Sequence, residues 1–159
     1  MLWLYAPFAV VRQNLSTEAE KLGIDPSRLL WADRVPHAEH LARQSLGDLF
    51  LDTFPYTAHT TASDALRAGL PVLTRSGETF ASRVAASLLT NLGFPELITT
   101  SAAKFEEAAI ALAHDPIKLA EIRKRLSEAV QSAPLYDSAI FTKHFEAALI
   151  RALREHDCV

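Results

Sequence analysis

Two short groups of side chains in this sequence are of types that hold ligands. His40 and Arg43 stand three residues apart, on one face of an expected helix. Thr60, Thr61 and Asp64 stand at the expected start of the next helix, beyond a short apolar run that ends at Asp52. An imidazole offers a flat ring, a guanidinium a fork of donors, and a carboxylate an acceptor. The first N–H groups of a helix lack intrahelical partners, and the aligned peptide dipoles add about half a positive charge there, so a helix start with adjacent threonines can cradle an anion. The inventory matches a base, a diphosphate and ribose hydroxyls. Plainer readings stand beside it. Thr61-x-x-Asp64 fits a capping box, and His40 and Arg43 fit an ordinary solvent-facing helix surface. The cap and the cradle are compatible, because one threonine can cap while the other faces a ligand.

Other chemistries find less support. No G-x-G-x-x-G follows a strand, and the P-loop, H-E-x-x-H and G-x-S-x-G patterns are absent. His37 and His40 share a helix face but lack the carboxylate or cysteine pair that would complete a metal site, so no metal is expected. A net charge of −3 provides no basic field for nucleic acid. Cys158 is the single cysteine, which rules out an intrachain disulfide. No apolar run is long enough to span a bilayer, and Met1–Pro7 lacks the features of a signal peptide. The expected location is the cytoplasm, with neither membrane nor nucleic acid as partner. A length of 159 residues with 49% hydrophobic content suits a single domain, 1–159.

The elements that must position these groups follow from periodicity. Short apolar runs at Leu2–Tyr5, Leu29–Trp31, Leu49–Asp52, Pro71–Thr74 and Leu97–Thr99 predict strands, the first and third of them buried. Helical patterns fill the intervals: Val10–Leu22 closed by Gly23, a helix opened by Pro36, Thr61–Ala68, Phe80–Leu92, and a helix capped by Ser101. Two more follow, one starting at Pro116 and one over 137–155. The alternation predicts an α/β fold, a Rossmann-like parallel sheet with helices on both faces. Ligands in such sheets bind at the carboxyl ends of the strands, where the segments Ala32–Pro36, Asp52–Thr60 and Arg75–Thr79 lie. In the last of these, Glu78 either pairs with Arg83 to fix the loop or faces a ligand. The final helix carries Phe141, Phe145, Leu149 and Leu153 at four-residue intervals, a stripe that covers either its own sheet or another body.

Three blocks carry a resemblance: Val35-Pro-His-Ala-Glu-His-Leu-Ala-Arg43; Leu51-Asp-Thr with Ala58-His-Thr-Thr and Asp64; and Gly77-Glu-Thr-Phe-Ala-Ser-Arg-Val-Ala-Ala-Ser-Leu-Leu-Thr90. In order and spacing they resemble the catalytic region of the O-GlcNAc transferase family, including its SPINDLY-like branch. The resemblance implies the C-terminal, nucleotide-sugar-binding lobe of a GT-B glycosyltransferase, lacking that lobe's first strand and helix. It implies that His40 stacks on uracil, that Arg43 and the Val35 backbone bond the base edge, and that Thr60 and Thr61 hold the diphosphate. Asp64 would contact the ribose, and His59 of the same block is expected among the nucleotide-binding residues. His37 stands where the family commonly has a lysine as a ribose or phosphate contact, and a histidine there is shorter. The implied donor is a UDP-GlcNAc-like sugar, needed without a cofactor, and the acceptor a Ser or Thr hydroxyl of a protein. That acceptor would be held by an N-terminal lobe and tetratricopeptide repeats that this chain does not contain. The resemblance assigns this chain no catalytic residue and implies that it is inactive alone. A GDP-sugar donor, or a non-catalytic binding module that pairs with copies of itself through the edges of Leu2–Tyr5 and Leu49–Asp52, are the alternatives.

Overall fold

The computed structural model describes residues 1–156, in which strands alternate with helices as far as β5 and three helices follow; Cys158 lies outside the described residues. The order is β1 (Leu2–Tyr5), α1 (Ala9–Lys21), β2 (Leu29–Ala32), α2 (His37–Gln44), β3 (Phe50–Leu51), α3 (Thr60–Arg67), β4 (Val72–Arg75), α4 (Val84–Leu92), β5 (Ile98–Thr99), α5 (Ala102–His114), α6 (Pro116–Ser132) and α7 (Ser138–His156). Every strand pairing is parallel, as the alternation of elements requires. The pairings form two sheets, β1-β2 and β3-β4-β5, where the strand pattern predicted one. The chain correspondingly divides into two compact units, Met1–His40 and Leu41–Val159.

In the first unit β1 runs beside β2 with Leu2 opposite Leu29 and Tyr5 opposite Ala32. Gly23 ends α1 in the left-handed region at φ +72°, and Ile24 N–H donates to the Ala19 carbonyl at 2.9 Å. That bond and the one from Gly23 to Glu20 make the Schellman closure that the glycine predicted. Arg12 ties the unit together, donating from Nε to the Ala6 carbonyl at 2.7 Å and pairing with Asp33 at 2.7 Å. The expected burial of β1 and of β3 is not met: Leu2, Trp3 and Tyr5 of β1 and Leu51 of β3 are exposed. An apolar run specifies a strand but not how many of its faces are covered, and Ala6 and Ala19 are the buried apolar residues of the first unit.

The second unit has the core. Ala62, Ala65 and Leu66 of α3 meet Val72 of β4, with Ala85 and Leu89 of α4, Leu112 of α5 and Leu126 of α6 around them. Strand β4 is the middle strand and its first three residues are fully buried. Ser101 caps α5 as expected, its hydroxyl accepting from Lys104 N–H at 3.2 Å. Arg123 of α6 donates to the carbonyls of Gly47 and Ser45, at 2.6 and 3.0 Å. The open question about α7 is answered by exposure: Phe141, Phe145, Leu149 and Leu153 all face solvent, and the two phenylalanine rings stack on each other at 6.0 Å.

Before α7, a short turn over Pro134–Tyr136 returns the chain to α3, where the Tyr136 hydroxyl donates to the Ser63 carbonyl at 3.1 Å. Burial raises the Tyr136 phenol above its ordinary value of 10.0, outweighing the bond to Ser63 and the nearby Arg67 charge. A group whose ionisation is harder in the folded state stabilises the fold below its unfolded pKa. That contribution is lost as pH rises through the higher folded value. The urea midpoint of this unit is therefore expected to fall above about pH 10, the unfolded tyrosine value, and this component of the fall is expected to vanish in Tyr136→Phe.

Candidate nucleotide-binding site

A carboxylate organises the loop from β3 to α3. Asp52 is buried, with 8% of its surface exposed. Its Oδ1 accepts from the backbone N–H groups of Thr53 at 2.8 Å and Ala58 at 2.7 Å. Its Oδ2 accepts from the Thr74 hydroxyl on β4 at 2.6 Å. Further along, the fully buried Thr57 donates from both its N–H and its hydroxyl to the Ala81 carbonyl, at 3.0 and 2.6 Å. The loop is thus bolted to β4 on one side and to the segment before α4 on the other.

These two anchors decide where α3 begins. The N-cap position is His59, which makes no side-chain cap bond, and the first helical bond runs from Ser63 N–H to the His59 carbonyl at 3.1 Å. The expected capping box of Thr61 and Asp64 is therefore not formed. Thr60 and Thr61 instead occupy the first two helical positions, exposed, with backbone N–H groups among those that have no intrahelical partner. Asp64 is half-buried one turn further on. The His59 ring stacks on Tyr56 at 4.8 Å, meets Phe80 edge-on at 6.1 Å, and places Nε2 3.3 Å from the Ala81 carbonyl. Its environment is that of a loop-packing side chain beside the helix start.

The neighbouring loop, after β4, is fixed by backbone and hydroxyl groups. Ser76 N–H donates to the Thr99 carbonyl at 2.8 Å and Gly77 N–H to the Ser82 carbonyl at 3.0 Å. Thr79 and Ser82 form a reciprocal capping box. Glu78 is exposed and makes no ion pair with Arg83 among the described residues, so the loop-fixing role expected of that pair belongs to Thr79 and Ser82. A Cβ at Gly77 would lie 2.6 Å from Ser82 Oγ and 2.9 Å from Ser82 Cβ within its own turn, and 3.0 Å from the Phe54 ring of the neighbouring loop, so this position requires glycine.

On α2, His37 is the first residue and is exposed, while His40 and Arg43 are half-buried. Pro36 precedes the helix rather than opening it, its carbonyl accepting from His40 N–H at 2.9 Å. Val35 is half-buried in the connection from β2. Val35, His37 and His40 belong to the first compact unit, and Arg43, His59, Thr60, Thr61 and Asp64 to the second. Asp52 and Thr57, which hold the helix start in place, were not among the residues that spacing singled out. The available signal was an acidic residue ending an apolar run and a threonine in the loop behind it.

Comparison with known proteins places the chain among glycosyltransferases. The model of glycosyl transferase family 41 matches residues 1–145. A probable UDP-N-acetylglucosamine–peptide N-acetylglucosaminyltransferase SPINDLY of Solanum lycopersicum is 36% identical over 141 residues, covering 86% of this chain and 15% of the relative. The protein of the same name called SEC, from Arabidopsis thaliana, is 33% identical over 156 residues, covering 98% of this chain and 16% of the relative. Among solved structures, a mutant of the Thermobaculum terrenum O-GlcNAc transferase matches with a TM-score of 0.87 at 32% identity, covering 93% of this chain and 28% of that one. The chain spans only 15–16% of the length of these two curated relatives.

Proposed function

Since this chain belongs to glycosyl transferase family 41, we propose that it is the donor lobe of a protein O-glycosyltransferase, holding a UDP-GlcNAc-like sugar for transfer to Ser or Thr hydroxyls. The observation that carries this reading is the start of α3. It is uncapped, presents Thr60 and Thr61 to solvent, and is anchored by Asp52 and Thr57 at the carboxyl edge of a parallel sheet. In this reading the diphosphate lies against the Thr60 and Thr61 amides and hydroxyls, and Asp64 receives the ribose. His40 stacks on uracil, while Arg43 and the Val35 backbone bond the base edge. His37 takes the place of the lysine common in the family, as a shorter and weaker contact. His59 supports the loop through its stack with Tyr56. The helix start and side-chain cations offset the charge that develops on departing UDP, with no bound metal called upon. The acceptor protein is held by a further lobe and tetratricopeptide repeats of a longer cytoplasmic enzyme. The 159-residue chain alone transfers no sugar, and robust glycosylation of an acceptor peptide by the purified chain would sink that part of the reading.

A second reading, a protein-interaction module, draws on the solvent-facing stripe of α7. Point variants separate the two. Stacking of a base on a side chain contributes about 1–3 kcal/mol, so His40→Ala is expected to weaken UDP binding by about 5- to 150-fold. Thr61→Ala is a sharper probe. A capping threonine costs about 1 kcal/mol when truncated. Because Thr61 does not cap α3, its replacement is expected to leave the urea midpoint nearly unchanged while lowering UDP affinity several-fold in a calorimetric titration. Unaltered UDP affinity in both variants would favour the interaction module.

A further inference from the structure

Two exposed aromatic rings flank His59, and the donor reading leaves their outer surfaces without a role. Tyr56 is 66% exposed, and Phe80 is exposed as well. Apolar side chains scattered singly over a surface are ordinary. These two meet one imidazole, on loops at the carboxyl edge where open parallel sheets take ligands.

Tyr56 is held in place although it faces solvent. Its carbonyl accepts from the Thr53 hydroxyl at 2.9 Å, and the next residue, Thr57, is bonded to Ala81. One face of its ring lies against the His59 imidazole, with the planes 19° from parallel. Phe80 meets that imidazole edge-on, and Nε2 lies 3.3 Å from the Ala81 carbonyl, so the surface on which Tyr56 rests is itself fixed. His59 is the N-cap residue of α3, which puts the tyrosine ring directly beside the helix start. Its opposite face is open.

Chemistry and placement narrow what that face meets. The face of an aromatic ring is electron-rich and attracts polarised C–H groups. A pyranose presents such groups, and in a nucleotide sugar it is bonded directly to the diphosphate. A diphosphate on the Thr60 and Thr61 amides therefore brings two rings to the helix start, the ribose and the sugar. The ribose is assigned to Asp64, one turn into the helix, whereas Tyr56 precedes the helix. The base lies one ribose further off and is assigned to His40. We propose that Tyr56 contacts the donor sugar, its open face stacking on the pyranose C–H surface. This deepens the donor reading and rests on it for the identity of the nucleotide.

The test is titration of the full chain and of Tyr56→Ala, Tyr56→Leu and Tyr56→Phe with UDP and with UDP-GlcNAc. UDP is the internal control, because it meets the same helix start but carries no sugar. Tyr56→Ala and Tyr56→Leu are expected to weaken UDP-GlcNAc by about two- to tenfold, the range of a single aromatic contact, and to leave UDP unchanged. Tyr56→Phe is expected to match wild type for both. In the wild-type complex the sugar C–H protons are expected to shift upfield in the proton NMR spectrum under the tyrosine ring current, a readout that needs no variant. Equal weakening of UDP and UDP-GlcNAc overturns the assignment, since the ring then acts only on the position of the α3 start. Unchanged affinity for both ligands, or no upfield shift, overturns it and leaves the donor reading standing. No binding of either ligand by the wild-type chain overturns both.

Discussion

Asp52→Ala is expected to lower the unfolding free energy of the second unit by about 3 kcal/mol, the cost of stranding several buried donors at once. The carboxylate satisfies the N–H groups of Thr53 and Ala58 and the Thr74 hydroxyl, which donate to no other group among the described residues. Alanine removes all three acceptors, and the loop must open to water to recover them. Asp52→Asn is expected to cost only about 1–2 kcal/mol. Its carbonyl keeps the two backbone bonds, and its amide can donate to the Thr74 hydroxyl, which also accepts. Urea unfolding of the three proteins gives the comparison. A change below about 0.5 kcal/mol in Asp52→Ala, the range typical of an ordinary surface substitution, would show that the carboxylate does not organise the loop. The same variant is expected to weaken UDP binding, because the α3 start loses one of its two anchors.

Leu66→Ala is expected to cost about 3 kcal/mol or more, as in other large-to-small core substitutions that leave a cavity. Leu66 is fully buried, and α3 has little else to hold it. At eight residues the helix is too short to persist alone, and its N-cap makes no side-chain bond. Its stability therefore comes from burying Ala62, Ala65 and Leu66 against β4 and α4. Hydrogen exchange provides the local readout: protection of the α3 amides is expected to collapse in Leu66→Ala and to survive in Thr61→Ala. A Leu66→Ala protein with wild-type protection along α3 would mean that the helix is held by something other than its buried face.

The contrast between these residues explains what could be read in advance. Strand and helix positions followed from local periodicity, as did the Gly23 closure and the Ser101 cap, because each depends on neighbours within a few residues. The start of α3 did not. It is set by bonds from Asp52 to Thr74 and from Thr57 to Ala81, 22 and 24 residues apart in sequence. No local pattern encodes such pairings, so the capping-box spelling of Thr61 and Asp64 put the cap two residues beyond its actual position, His59. The pairing of Glu78 with Arg83 failed for a related reason: hydroxyls at Thr79 and Ser82 had already satisfied that turn. Apolar runs identified β1 as a strand and α7 as a striped helix, but a stripe has the same spelling whether covered or bare. His40 and Arg43 lay within ordinary helix spacing. Only the resemblance to a glycosyltransferase family gave them ligand roles, and the family itself is borne out by the comparisons.

The central claim is that this lobe binds the nucleotide of a UDP-sugar. The most direct measurement is calorimetric titration of the chain with UDP, with GDP as comparator. The account predicts saturable binding of UDP and binding of GDP at least tenfold weaker, since Arg43 and the Val35 backbone are assigned to the edge of uracil. Absence of saturable UDP binding, or equal affinity for the two nucleotides, would contradict it.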